Sequence, residues 1–154
     1  MTEFLNLKTK YPDLIPIRMD FECGPGWEKV LDKYFGEVAA ALPSETRLRL
    51  ERVYEKYGSL WVDAMPEGPV ANLVHLALDK AEVLADSRSY RYCETCGEPG
   101  GLRDKHWLYV ACEAHANGAP LSRQTNAGSN STVLPTNMMG PGLGRCHTEG
   151  ETSD

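Results

Sequence analysis

The chain of 154 residues has no run of apolar residues approaching the roughly 18 to 20 that a membrane-spanning helix needs. Its first ten residues, Met1 to Lys10, lack the continuous apolar stretch of a secretory leader, so the protein is expected to stay in the cytoplasm. Thiols remain reduced there, and five cysteines, an odd number, cannot close a disulfide framework. Nor is any segment basic. Net charge is -6, and acidic residues outnumber basic ones before Tyr90, between Tyr90 and Ala116, and after Ala116. Proteins that grip phosphate backbones draw most of their affinity from a basic stripe, which lowers the expectation of nucleic-acid binding. The rest of the composition, 42% hydrophobic and 25% charged, is that of a soluble globular protein with one core.

Against these absences stands one stretch with a definite chemistry, Cys93 to His115. Its ligand-type residues are spaced Cys-x2-Cys-x15-Cys-x2-His, which reads as a four-ligand zinc site of Cys93, Cys96, Cys112 and His115. The first pair belongs on a tight turn in which Gly97 takes a positive φ, and Trp107 to Val110 forms the strand that returns to the second pair. Four protein ligands leave no open position for water, and several thiolates weaken the metal as a Lewis acid, so the Zn2+ is expected to be structural. A zinc deaminase would need His-x-Glu and Pro-Cys-x-x-Cys. His75-Leu76-Ala77 lacks the Glu, and Tyr92 rather than Pro precedes Cys93.

Upstream, Pro12 and Pro16 forbid a long N-terminal helix, and Ile15, Ile17, Met19 and Phe21 alternate with polar or Pro residues as in a half-buried edge strand. Cys23-Gly24-Pro25-Gly26 stops that strand. Trp27, Val30, Leu31, Tyr34, Phe35, Val38 and Leu42 then fall at helical steps until Pro43. A hairpin is expected from Arg47 to Tyr54 and Ser59 to Ala64, turning at Glu55-Lys56. A second helix is expected from Val70 to about Ser87, its inner face built from Val70, Leu73, Val74, Ala77, Leu78, Ala81 and Leu84. After Ala116 the chain is rich in Gly, Ser, Thr, Asn and Pro, as in a disordered tail. The expected architecture is α+β: a small antiparallel sheet, two amphipathic helices and a C-terminal zinc ribbon. The segments are an N-terminal stretch 1–14, a core 15–92, the ribbon 93–116 and a tail 117–154.

Three further features bear on function. Trp27, Trp61 and Trp107 can anchor a core or an interface. The core reading is the stronger at helical and strand positions, but Trp61 faces outward if Leu60 and Val62 are buried. Arg103, Lys105, His106 and Trp107 mark the outer edge of the ribbon and, with Trp61, form a candidate interaction surface. Cys23 reads as a small buried side chain, with a reactive nucleophile near a helix start as the sharper alternative. Cys146-His147 reads as incidental.

The order of signals resembles a family of small, uncharacterised zinc-ribbon proteins carried by tailed bacteriophages and prophages. The residues that carry the resemblance are Glu22-Cys23-Gly24-Pro25-Gly26-Trp27, Glu55 to Val62, and Cys93, Cys96, Gly97, Pro99, Gly100, Trp107, Cys112 and His115. In the middle motif Tyr57, Ser59, Trp61 and Val62 stand where Phe, Gly, Arg and Phe are common, so a role for that Arg does not carry over. The resemblance spans roughly Ile15 to Ala116 and implies a zinc-stabilised fold of phage or mobile-element origin, with no enzymatic activity attached. Together with the acidic balance and the lack of a catalytic set, it leads to the expectation of a non-enzymatic accessory protein in the host cytoplasm that binds and inhibits a host protein or defence complex. The alternative is a nucleic-acid-binding regulator acting through Arg91, Arg103, Lys105, His106 and Trp107.

Overall fold

Seven large apolar side chains at steps of three and four make the strongest local signal in the chain, and they form the central helix. The computed structural model describes residues 4–123. After a short helix α1 (Leu5–Lys10), a single 3-10 turn (Pro25–Trp27) runs into α2 (Glu28–Ala41). Trp27, Leu31, Phe35 and Val38 are wholly excluded from water. Fully burying one such side chain is worth about 1.5–3 kcal/mol, so this face organises the core. Leu42 leaves the helix in an extended conformation ahead of Pro43. No helix among the described residues is long and apolar enough to cross a membrane.

The hairpin consists of β2 (Leu48–Lys56) and β3 (Ser59–Pro66), antiparallel, with Lys56 opposite Ser59. Its turn is Tyr57-Gly58, two residues further along than expected. Both have positive φ, 53° and 79°, which a two-residue turn matched to strand twist requires. The Glu55 carboxylate accepts the Gly58 N–H at 2.6 Å and holds the turn closed.

The expected strand from Ile15 shrinks to β1 (Phe21–Glu22). Ile15 is buried but Ile17 is 68% exposed, so the alternation does not mark one inner face. The backbone donors explain why: Ile15 N–H bonds to the Tyr11 carbonyl and Met19 N–H to that of Pro16, so successive turns use groups a ladder would need. β1 pairs with β2 in parallel, so the three-stranded sheet, ordered β1-β2-β3, is mixed rather than antiparallel. Arg52 grips Glu22 with two hydrogen bonds, 2.8 and 2.6 Å, across that pair.

The second long helix, α3 (Asn72–Ser89), packs against α2 and β3. Its inner stripe is Leu78, Ala81, Ala85 and Ser89, mostly small residues that let α2 approach closely. Leu73, expected inside, is exposed, as are Leu76 and Val83. A bidentate Arg88–Glu37 pair, 3.0 and 2.7 Å, ties α3 to α2. At the end of α3 the buried Ser89 hydroxyl accepts the Leu60 N–H at 3.0 Å and donates to the Asp86 carbonyl at 2.6 Å. These two hydrogen bonds fix the helix end on the edge of β3, four residues before Cys93.

The chain then forms a two-stranded antiparallel sheet, β4 (Gly101–Asp104) and β5 (Leu108–Ala111), followed by a 3-10 turn at Glu113–His115. Residues 117–123, expected to begin the tail, are part of the fold. Ala119 and Ser122 are buried, and the Ser122 N–H bonds to the Leu102 carbonyl at 2.8 Å. The remainder of the expected tail, with Cys146, lies outside the described residues.

Candidate metal centre

Two short loops bring four ligand atoms together. Cys93 and Cys96 lie in a tight knuckle after α3: Cys93 N–H bonds to the Glu98 carbonyl at 2.7 Å, Gly97 N–H to the Cys93 carbonyl at 2.8 Å, and Gly97 sits at φ 76°. β5 leads directly into Cys112, and the 3-10 turn that follows swings His115 back. The Cys93 Sγ and Cys112 Sγ lie 3.6 and 3.2 Å from His115 Nδ1, and Cys96 Sγ is 3.7 Å from Cys112 Sγ. All four ligand atoms fall within 4.8 Å of one another. A tetrahedron with metal–sulfur bonds of about 2.3 Å has sulfur–sulfur edges of about 3.8 Å, so these separations fit one ion at the centre. A disulfide would need about 2.05 Å.

Electrostatics favour the ionised sulfur at Cys93 and oppose it at Cys96. Burial opposes ionisation of Cys93, but the backbone N–H groups of Cys112, Cys96 and Thr95 outweigh it and bring its pKa down to about 6. Cys96 is pushed the other way. The Glu98 N–H favours its thiolate, yet burial and the neighbouring Cys93 and Cys112 sulfurs disfavour a second negative charge and raise its pKa. A cation at the centre removes that conflict by balancing every thiolate at once.

The knuckle is held from behind by the Gly-Pro-Gly turn that precedes α2. Gly26 N–H bonds to the Glu94 carbonyl at 2.7 Å, and Gly24 N–H to the Glu94 carboxylate at 2.9 Å. The Trp27 indole N–H bonds to the Tyr92 carbonyl at 2.9 Å. A Cβ on Gly26 would collide with the Cys93 and Glu94 carbonyls, and one on Gly97 with the Gly26 carbonyl, so the two turns dovetail only because both positions are glycine. Burial pushes the Glu94 carboxyl up, against the Gly24 N–H that favours its charged form. Gly24, Gly26 and Glu94 belong to the centre's support, although the Gly-Pro-Gly motif by itself reads only as a strand stop. Its one hint is the second glycine placed directly before a large aromatic.

The candidate interaction residues separate. Arg103 is not on the surface: it is 7% exposed, and its guanidinium donates to the carbonyls of Ala111 (3.3 Å) and Ala119 (3.2 Å) and to Glu113 (3.0 Å). β4 turns it to the face opposite Leu102, where the 117–120 segment folds back over it and it joins that segment to β5. Lys105 is exposed but spends its ammonium on the Asn117 carbonyl at 2.8 Å. His106 and Trp107 project at the tip of the β4–β5 hairpin, Trp107 against Tyr109 with ring centroids 6.1 Å apart. Trp27 is core, whereas Trp107 is not. Trp61 stands outward beside buried Leu60, its indole N–H bonded to the Ser59 hydroxyl at 2.9 Å. His75 is exposed on α3, and Cys23 is half-buried against the core.

Comparison with protein-family models, with curated proteins and with solved structures finds no match for this chain.

Proposed function

We propose that Cys93, Cys96, Cys112 and His115 hold a structural Zn2+ as a zinc ribbon, and that the chain is a non-enzymatic accessory protein binding and inhibiting a host protein. The donor set supports zinc, since three thiolates and an imidazole complete a tetrahedron and suit a borderline-soft ion. Bound there, zinc supplies cross-linking between the knuckle and the end of β5. The observation that carries the binding reading is the set of large apolar side chains kept in water: Trp61, Met65, Leu73, Leu76, Val83 and Trp107 are all exposed. The resemblance to phage-borne zinc-ribbon proteins supports a host protein as the partner and blockade as the outcome. The nucleic-acid alternative is weakened by the burial of Arg103, one of the few cations it could use.

Affinity purification of the tagged full chain from host lysate, with Trp61→Ala and Trp107→Ala variants alongside, tests the reading. A specific partner lost in at least one variant is expected. Recovery of no partner, together with salt-sensitive retention of nucleic acid in a gel shift, would overturn it.

A further inference from the structure

Between β3 and α3 runs a groove of about 400 Å³, lined by Lys56, Trp61, Val62, Glu82, Val83 and Asp86 among others. We propose that this groove receives a basic amphipathic helix of another protein, its apolar side chains set between Trp61 and Val83 and its Lys and Arg side chains meeting Glu82 and Asp86. The proposal rests on the binding reading above and gives its partner a chemistry.

The apolar part is prepared in advance. Trp61 is 44% exposed, and its only polar atom is already bonded to Ser59, so what it offers a partner is ring surface. Lys56 lies over that ring with its nitrogen 5.0 Å from the centroid, which restrains both side chains. Val83 is 66% exposed on the opposite wall. Leu76 and Leu73, seven and ten residues before Val83 on α3, are exposed as well and offer further apolar contacts along the helix beyond the groove, with Asp79 between them and Val83.

Charge selects the occupant. Glu82 and Asp86 stand in the lining, and Asp79 and Asp63 lie near Glu82. Burial chiefly, and then the nearby Asp79 and Asp63 charges, push the Glu82 carboxyl above its ordinary range. The basic residues of α3 are turned elsewhere: Arg88 pairs with Glu37, and Lys80 lines a different groove, on the α2 side. A basic segment therefore meets complementary charge, whereas a second copy of this acidic chain would set carboxylate against carboxylate. Strand addition on β3 is obstructed at Leu60, whose N–H is taken by Ser89. That leaves recognition to side chains, in the manner of a helix lying in a groove.

The test uses the full, metal-loaded chain and a fluorescent synthetic helix carrying Leu and Lys at helical spacing, read by anisotropy at several salt concentrations. Two comparison peptides replace Leu by Ala, or Lys by Glu. The Leu/Lys helix is expected to bind, with both comparison peptides at least about tenfold weaker. Val83→Asp and Trp61→Ala should each weaken binding by a similar factor with circular dichroism unchanged. The double variant E82Q/D86N should lower affinity and flatten the salt dependence, while Glu45→Gln, which lines another groove, should change neither. Equal binding of the Leu and Ala peptides, or of wild type and Val83→Asp, overturns the proposal in favour of diffuse charge attraction. A dimer in sedimentation that Val83→Asp abolishes overturns it in favour of a second copy. If the lysate partner is retained by Val83→Asp, the groove assignment fails while the binding reading survives; if the Leu/Lys helix binds with the stated pattern but no lysate partner is found, the groove stands and the host-protein reading fails.

Discussion

Arg103 carries its charge into the protein, and the cost of that placement is met by three acceptors. Removing the guanidinium takes a charged donor away from the Ala111 and Ala119 carbonyls, and a hydrogen bond from a charged group is worth about 1.5–3 kcal/mol. Arg103→Ala is therefore expected to lower the thermal midpoint markedly, and Arg103→Lys to recover little, because an ammonium cannot reproduce a planar fork. Lys105→Ala, at an exposed neighbour two residues away, should stay within about 0.5 kcal/mol in the same melting experiment. Gly26→Ala belongs with the severe cases. Its new methyl would enter the space of the Cys93 and Glu94 carbonyls, and backbone on both sides leaves nothing flexible to give way. A loss of about 1–3 kcal/mol or more in urea unfolding, with weakened metal retention, is the expected outcome.

Among the elements, the β4–β5 hairpin is the one that a metal bound at the Cys/His cluster would tie down most. It buries little apolar surface beyond Leu102, Val110 and Ala111, and two of the four ligands sit at or just beyond its end. A chelator, or Cys112→Ser, should release hydrogen-exchange protection from Gly101 to Ala111 well before the β2–β3 hairpin loses its own. How much of this was readable in advance differs from element to element. α2 was plain because its large apolar residues repeat over nearly four turns, and the gathering of Cys93, Cys96, Cys112 and His115 was plain because paired spacing is local. Ile15 to Met19 misled because alternation says nothing about where Pro12 and Pro16 send the backbone donors. In α3 Leu78 and Ala81 are buried as expected, but the stripe continues through Ala85 and Ser89, which carry almost no hydrophobic signal, while the conspicuous Leu73, Leu76 and Val83 face water. Arg103 could not be placed inside without knowing that residues 117–120 fold back over β4. The seat of the knuckle on Gly24 and Gly26 joins residues 70 apart, beyond any window of periodicity.

Across the whole molecule the net charge is -6, and at Glu82 burial first, then the Asp79 and Asp63 charges, disfavour a further carboxylate charge. Its folded pKa lies above the ordinary value, so ionisation costs stability at neutral pH and the cost vanishes once pH falls below the unfolded pKa. Glu82→Gln should accordingly raise the urea midpoint at pH 7 and leave it unchanged in acid, which unfolding at the two pH values will check. The same substitution, paired with Asp86→Asn, is expected to weaken peptide binding, so the groove keeps a charge that the fold alone would discard. The dovetail between Gly26 and the Cys93 knuckle also sets a timetable for biogenesis. Trp27 and α2 leave the ribosome with their docking partner still untranslated, about 70 residues behind. At 5–20 residues per second that is a wait of roughly 4–14 s. Through that interval Gly26 and Trp27 have no finished seat, and the fold is complete only when the chain through Ser122, whose N–H bonds to the Leu102 carbonyl, has been made.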